Sequence, residues 1–419
     1  MVWMMVWAGL LTLVTAVWVS RHVEINRAKR MQLRLSSQTY AGPPENAPFV
    51  SVLIAGKDEE ANIERAVRSM LRQDYPNFEL IVVNDRSQDR TPRILESLKA
   101  EDTTGRLRVL HVTELREGWF GKNNAMREGM ALARGDWLCF GDADCEQTSE
   151  RSLSMAVRHA IEKKAEFLSV LPRLAVQSVW EQIVQPAAGA VMVFWFNPRR
   201  VNDPADPTAY ANGAFMLMTR QCYEAIGGHE AVKTEVNEDM HMARLAKERG
   251  RRLLICQNDD LYTVRMYANL GQIWRGWSRI FYGCFGTFRR LRVSMLMLLG
   301  MNVFPYASLL IAGAVLGLTT WAAGNAGWFW VGGAAVLAVG MQLSVMVRFY
   351  RLSYAKAWLA PTFIVGAAMC IGMLINAMLK LKGRTKVTWR GTTYRGNRVE
   401  NVSAPPGASA AAGVPVRTR

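Results

Sequence analysis

Residues 137–144 read Trp-Leu-Cys-Phe-Gly-Asp-Ala-Asp, a short apolar run that ends in two carboxylates, Asp142 and Asp144. The run has the composition of a buried parallel strand, and open α/β sheets collect their ligands at the carboxyl ends of such strands. Two acids at that place can offer oxygens to one hard divalent cation, Mg2+ or Mn2+, of the kind that bridges carboxylates to substrate phosphates. A strand-to-helix turn capped by Asp satisfies the same spacing, so the surrounding chain has to decide.

Outward from this strand, apolar strand-like runs at 49–55, 78–83 and 107–112 alternate with helical spacings at 61–73, 91–99 and 123–133. Beyond it come a helix over 150–163, strands over 167–171 and 210–219, a helix over 237–249 and a strand over 253–257. Repeated β-α units with short loops predict an α/β fold, a parallel, Rossmann-like sheet flanked by helices.

The ends of the chain are of another kind. Residues 2–20 carry no charge and are long enough to span a bilayer. They lack the basic start of a signal peptide, and Arg21, Arg27, Lys29, Arg30 and Arg34 follow at once. The positive-inside rule then puts the sheet domain in the cytoplasm of a protein integral to the inner or plasma membrane. Three long apolar segments, 295–323, 328–347 and 358–379, close the chain before a basic tail. The expected organisation is an anchor over 1–20, a basic juxtamembrane segment and linker over 21–48, the sheet domain over 49–268, an interfacial aromatic and basic region over 269–293, three membrane segments over 294–380, and a basic tail over 381–419 with a disordered end. One crossing before the sheet domain and three after it would put the tail outside, whereas its Lys and Arg residues favour the inside. Either one C-terminal segment lies flat or re-enters, or the rule fails here.

The net charge of +16 suits an anionic partner. Residues 270–290 interleave Trp274, Trp277, Phe281, Tyr282, Phe285 and Phe288 with Arg275, Arg279, Arg289 and Arg290. That pattern fits single-stranded nucleic acid and a helix at the bilayer interface; the apolar segments that follow decide for the membrane and against nucleic acid. Residues 177–196 are a largely apolar helix inside the sheet domain, suited to a core or to the interface. The six cysteines form no Cys-x-x-Cys pair, which argues against a disulfide framework or structural zinc.

Four further features join Asp142 and Asp144. Gly56-Lys57-Asp58-Glu59-Glu60 follows the first strand, and Asn84-Asp85-Arg86-Ser87 follows the second. Each puts acids and amides where a ribose or base could be hydrogen-bonded, and each could be a capped turn. Gly121-Lys122-Asn123-Asn124 starts a helix, and a helix N-terminus with a Lys suits a phosphate. Glu238-Asp239 precedes Gln272-x-x-Arg275-Gly276-Trp277.

In this order the motifs resemble the family 2 glycosyltransferases, with a GT-A nucleotide-sugar-binding fold, over residues 49–290. The chain is most similar to the membrane-bound branch that glycosylates lipids, the ceramide glucosyltransferase-like, hopanoid-associated and carotenoid enzymes. The closing Trp389-Arg390-Gly391-Thr392-Thr393-Tyr394 resembles the tail found there. The resemblance implies an inverting hexosyltransferase that moves a sugar from a nucleotide-sugar, with UDP expected, to a membrane-lipid hydroxyl. Glu59 and Asp85 would hold the nucleoside, with Asp85 at the base, and Lys122 would lie near the nucleotide. Asp142 would contact ribose or metal, and Asp144 would be the main ligand of Mg2+ or Mn2+. Asp239, in its pair with Glu238, would be the general base. Gln272, Arg275 and Trp277 stand where the family has Gln-x-x-Arg-Trp; the inserted Gly276 leaves Arg275 as a diphosphate partner and puts the role of Trp277 in question. The alternatives are a processive polysaccharide synthase, for which three C-terminal segments are few, a phosphatase using Asp-x-Asp, and a non-catalytic membrane scaffold.

Overall fold

The computed structural model describes residues 1–30, 34–267, 269–318, 325–384, 387–389, 392–395 and 398–402. Its centre is an eight-stranded mixed sheet. The strands in chain order are β1 (Arg34–Leu35), β2 (Val50–Gly56), β3 (Phe78–Asp85), β4 (Leu107–Val112), β5 (Trp137–Asp142), β6 (Cys145–Gln147), β7 (Phe167–Leu171), β8 (Arg173–Leu174), β9 (Phe215–Thr219), β10 (Leu253–Asn258) and β11 (Tyr262–Val264). The large sheet runs β1-β10-β7-β9-β5-β2-β3-β4, and β6, β11 and β8 form a small one. All pairs in the large sheet are parallel except those of β9, which lies antiparallel between β5 and β7. Side chains alternate between two cores, as the two-residue period of a strand demands: Leu53, Ile81, Val83, Leu138 and Phe140 on one face, Val52, Ile54, Leu80, Val82 and Cys139 on the other.

The helices are α1 (Val2–Arg30), α2 (Ile63–Leu71), α3 (Thr91–Glu101), α4 (Gly121–Met130), α5 (Ser152–Glu162), α6 (Val179–Trp195), α7 (Pro198–Asn202), α8 (Arg220–Ile226), α9 (Gly228–Ala231), α10 (Glu238–Glu248), α11 (Leu270–Phe285), α12 (Phe288–Leu298), α13 (Phe304–Leu318), α14 (Ala326–Leu352) and α15 (Phe363–Leu381). The expected sheet with flanking helices is borne out, and its details differ in three places. The run at 210–219 forms a strand only from Phe215, because residues 210–213 turn into a cavity. The aromatic and basic stretch over 270–290 is two helices: Gly286 adopts φ +58 after α11, and Thr287 caps α12 by accepting from the N–H of Arg290. Arg34 and Leu35, within the expected linker, extend the large sheet beside β10. The six cysteines are buried and free.

Among the described residues, four helical stretches are long and apolar enough to cross a membrane: 2–27, 288–318, 326–352 and 357–381. The second continues from α12 into α13 through a π-helical turn, Leu299–Val303. They divide by what they touch. α1, α13 and α14 pack on one another, whereas α15 packs on α6, α11 and α12. Gly366 makes this docking possible, since a Cβ there would lie 2.4 Å from the carbonyl oxygen of Ile183. Gly372 does the same against the ring of Trp274, 2.5 Å from a Cβ at that position. The expected tail motif is described only in part, within the short strands β12 (Val387–Trp389), β13 (Thr392–Arg395) and β14 (Arg398–Val402); Arg390, Gly391 and the end from 403 lie outside the described residues.

Candidate active site

The strand order places β5 centrally, parallel to β2 and antiparallel to β9. Asp142 is its last residue, and Asp144 sits in the turn to β6. A cavity of 920 Å³ opens there, lined by both acids and also by Glu59, Asp85, Lys122, Glu238, Asp239, Gln272, Arg275 and Trp277. Every site residue expected from the sequence therefore faces one space.

Lys122 is the hub. As the second residue of α4 it points its ammonium between two carboxylates, 2.5 Å from Asp142 Oδ1 and 2.6 Å from Glu238 Oε1. Burial works against its charge, but the two carboxylates outweigh burial and hold its pKa well above the usual lysine value. The following asparagines are structural rather than phosphate-facing. Asn123 donates to the carbonyls of Val232 and Glu235 at 2.7 and 3.0 Å, and Asn124 donates to that of Glu114 at 3.2 Å. Asn123 fixes the start of α4 against the loop that leads to α10, and Asn124 ties it to the loop between β4 and α4.

Glu238 and Asp239 form the first turn of α10 and face different partners. Glu238 turns to Lys122. Asp239 accepts from the backbone N–H of Gly213 at 2.8 Å and of Met240 at 2.7 Å. Burial, and then the Glu238 charge beside it, push its carboxyl up to about 7, against the pull of Lys122 and the two N–H groups. Gly213 lies tight under this cluster: a Cβ would sit 3.0 Å from Lys122 Nζ and 3.5 Å from Asp239 Oδ2.

The other end of the cavity is built from the loops after β2 and β3, which are laced together. The N–H groups of Asp58, Glu59 and Glu60 donate to Ser87, Thr91 and Asp89, and Gln88 N–H returns to Asp58. Glu59 is buried and accepts from the Asn62 amide at 2.9 Å. Asp85 is gripped by both arms of the adjacent Arg86, at 2.7 and 2.9 Å. Arg86 reaches this geometry at φ +54, a left-handed backbone that non-glycine residues rarely adopt.

On α11, Gln272 and Arg275 are exposed to the cavity and Trp277 is buried, with its ring against Phe281. The inserted glycine has a steric reason: a Cβ on Gly276 would lie 2.2 Å from the Tyr267 hydroxyl oxygen. Tyr267, Tyr210, Asn212, Arg265 and Gln185 also line the cavity, and sequence reasoning missed them. They lie in irregular segments or inside an apolar helix, where no spacing marks them.

Among the described residues no group of three or more His, Cys, Asp or Glu side chains is placed to hold a metal alone. Two carboxylates in an oxygen-rich cleft are nevertheless a donor set that suits Mg2+ or Mn2+ when substrate phosphates and water complete the shell. The local balance leans negative, with Asp142, Asp144 and Glu238 against Lys122, and that favours a cation.

Residues 51–227 match the family model of glycosyl transferase family 2. A β-monoglucosyldiacylglycerol synthase of Trichormus variabilis is 31% identical over 185 residues, 43% of this chain and 38% of that protein. A 4,4'-diaponeurosporenoate glycosyltransferase of Staphylococcus aureus is 22% identical over 254 residues, 60% of this chain and 64% of that one. The chain thus spans well under half the length of the first of these relatives. Among solved structures, a mannosyltransferase of Pyrobaculum calidifontis, in complex with GDP-Man and Mn2+, superimposes with a TM-score of 0.50 at 19% identity, covering 90% of this chain and 99% of that one. The likeness shows that the two chains share a fold over most of their length.

Proposed function

We propose that this family 2 glycosyltransferase moves a hexose from a nucleotide-sugar, with UDP as the expected nucleotide, to the hydroxyl of a membrane lipid, with inversion at the anomeric carbon. The observation that carries the reading is the shared cavity. Its one end holds Asp142, Asp144, Lys122 and Asp239, and its other walls are α6 and α11, the helices on which α15 docks.

Asp239 is the proposed general base. It lies in the cavity, makes no ion pair among the described residues, and has a carboxyl poised near neutral pH. A carboxylate that removes the acceptor proton as the oxygen attacks contributes typically ~10²–10⁴-fold. Attack from the side opposite the leaving nucleotide inverts the centre in one displacement, so an α-linked donor gives a β-linked product. Glu238 is a positioning residue through Lys122. Arg275, exposed to the cavity, is the proposed diphosphate partner, with Gln272 beside it. Glu59 and Asp85 are proposed for the nucleoside; Asp85 would meet the base with its carboxylate already oriented by Arg86. Trp277 shapes the α11 wall. Asp144 and Asp142 would hold Mg2+ or Mn2+, whose charge, when bound, stabilises the departing diphosphate.

The membrane reading resolves the parity conflict in the sequence. α14 ends beside the sheet domain, where the Tyr354 hydroxyl donates to Asp259 at 2.7 Å and Arg34 pairs with the same carboxylate. α15 is then held at both ends: the N–H of Lys356, before it, reaches Gln182 of α6, and Lys382, after it, lies over the ring of Phe288 at the start of α12. This supports three crossings, by α1, α13 and α14, with α15 lying along the interface and the tail on the same side as the catalytic domain.

The test is mass spectrometry of lipids from cells expressing the wild type beside Asp239→Asn. A hexose increment on one lipid, absent in the variant, is expected. Polymer in the medium and no modified lipid would move the assignment to a polysaccharide synthase.

A further inference from the structure

Gln185 stands out because it is buried in the cavity wall and bonded to nothing. It is 4% exposed, and neither its amide nitrogen nor its amide oxygen has a hydrogen-bond partner among the described residues. It sits mid-way along α6, and the other α6 residues on the cavity are Pro186, Gly189, Met192 and Val193. That wall is apolar apart from one amide. Across from it, α11 contributes Ile280 and Cys284 together with Arg275 and Arg279, and Leu352 comes from the end of α14.

A buried amide with both ends unsatisfied is unfavourable to the fold, since such groups are nearly always paired. An apolar side chain would serve the packing of α6 on α15 better. Polar groups kept against the interest of the fold are the signature of a site that a ligand completes. An amide offers one N–H and one oxygen together, which matches an uncharged head that presents a hydroxyl and a second oxygen. It carries no charge to balance a phosphate, and no ionisable side chain of α6 faces the cavity.

We propose that Gln185 selects the acceptor: it hydrogen-bonds the head of a neutral, hydroxyl-bearing lipid whose chains lie along the apolar face of α6, and so discriminates against lipids with a phosphate head. The proposal rests on the lipid-glycosylating reading above. Two more unpartnered buried donors, the Tyr267 hydroxyl and the Trp277 indole N–H, line the same cavity and would serve the same head.

The experiment uses the full chain in detergent with a labelled nucleotide-sugar and, as acceptors, the lipids of the source organism separated on an anion exchanger into neutral and acidic fractions. Gln185→Met keeps the volume and removes both polar atoms; Gln185→Asn keeps the chemistry on a shorter stem. Wild type is expected to label the neutral fraction. Gln185→Met should need about tenfold more of that fraction for half-maximal rate, the loss expected for one to two hydrogen bonds, while its donor KM shifts less than twofold and its thermal midpoint is unchanged or higher. Gln185→Asn should recover part of the acceptor affinity. A purely structural glutamine would instead lower the midpoint and leave the acceptor KM alone, and that result overturns the proposal. Label in the acidic fraction alone also overturns it, while leaving transfer to lipid standing. Label in neither fraction removes both the proposal and the lipid reading beneath it.

Discussion

Replacing Lys122 with methionine keeps the side chain's length and deletes its charge. Asp142 and Glu238 are then left facing one another across the space the ammonium filled at 2.5 and 2.6 Å. The two halves of the loss are unequal. Glu238 is nearly enclosed, with a side chain 5% exposed, whereas that of Asp142 is 35% exposed and screened by solvent. Removing one partner of a buried pair costs about 3–5 kcal/mol, and an exposed pair adds at most about 1 kcal/mol. A net loss of about 3 kcal/mol follows, at the low end of the buried range because the cluster opens to the cavity. For a domain of this size each kcal/mol moves the thermal midpoint by about 2–4 °C, so the variant should melt roughly 6–12 °C lower. Differential scanning fluorimetry in detergent measures this. Saturating Mn2+ should recover part of the loss in the variant and move the wild type less, because a divalent cation then takes the place of the ammonium among the carboxylates. A midpoint lowered by under about 2 °C would refute the claim that Lys122 neutralises a buried cluster.

Other expectations follow from the same geometry. Asp239→Asn should cut transfer by ~10²–10⁴-fold with little change in donor binding, read from initial rates and calorimetric titration with the nucleotide. If Asp239 is the general base it acts deprotonated, so the rate should climb as pH rises through about 7 and level off above it; a flat profile between pH 6 and 8 would remove Asp239 from the role. The same raised carboxyl binds its proton more tightly in the folded state, so its own contribution to stability falls as pH rises from near 4 to about 7; buried His229 acts in the opposite sense, so the contribution is read as the difference between thermal melts of the wild type and Asp239→Asn. Gly276→Ala drives a methyl into the Tyr267 hydroxyl 2.2 Å away and should cost about 1–3 kcal/mol by overpacking, with a parallel loss of activity; a wild-type melting curve would contradict the steric reading. Cysteines substituted at Asn325 and Lys382 should label with a membrane-impermeant reagent from opposite sides, and labelling of both from one side would refute the α15 arrangement.

Much of this was open to reading along the chain. The apolar run into Asp142 and the acids after β2 and β3 announce themselves locally, since strand ends and turns leave period and punctuation in a sequence. The pairing of Lys122 with Glu238 does not, because 116 positions of chain separate them and only the fold brings α4 against α10. The antiparallel entry of β9 between β5 and β7 is invisible for the same reason: its five residues carry the apolar composition of any central strand. The Gly276 insertion looked like a departure from a motif and is instead a clearance for Tyr267, nine residues earlier. Gln185 gave no signal, since one glutamine in an apolar helix is ordinary until its surroundings are seen.

The docking of α15 along α6 and α11 also bears on how rates should be measured. If the acceptor is the membrane lipid proposed above, it reaches the α6 and α11 side of the cavity by diffusion within the lipid layer and not through the water around the protein. The concentration that governs its encounter is a mole fraction in a two-dimensional film. Adding inert lipid or detergent at fixed total acceptor should therefore slow the reaction, while diluting protein and lipid together at constant composition should leave turnover per enzyme unchanged. A nucleotide-sugar donor would obey the ordinary volume law on the other side of the same cavity, so on this reading the two substrates answer to two different kinds of dilution.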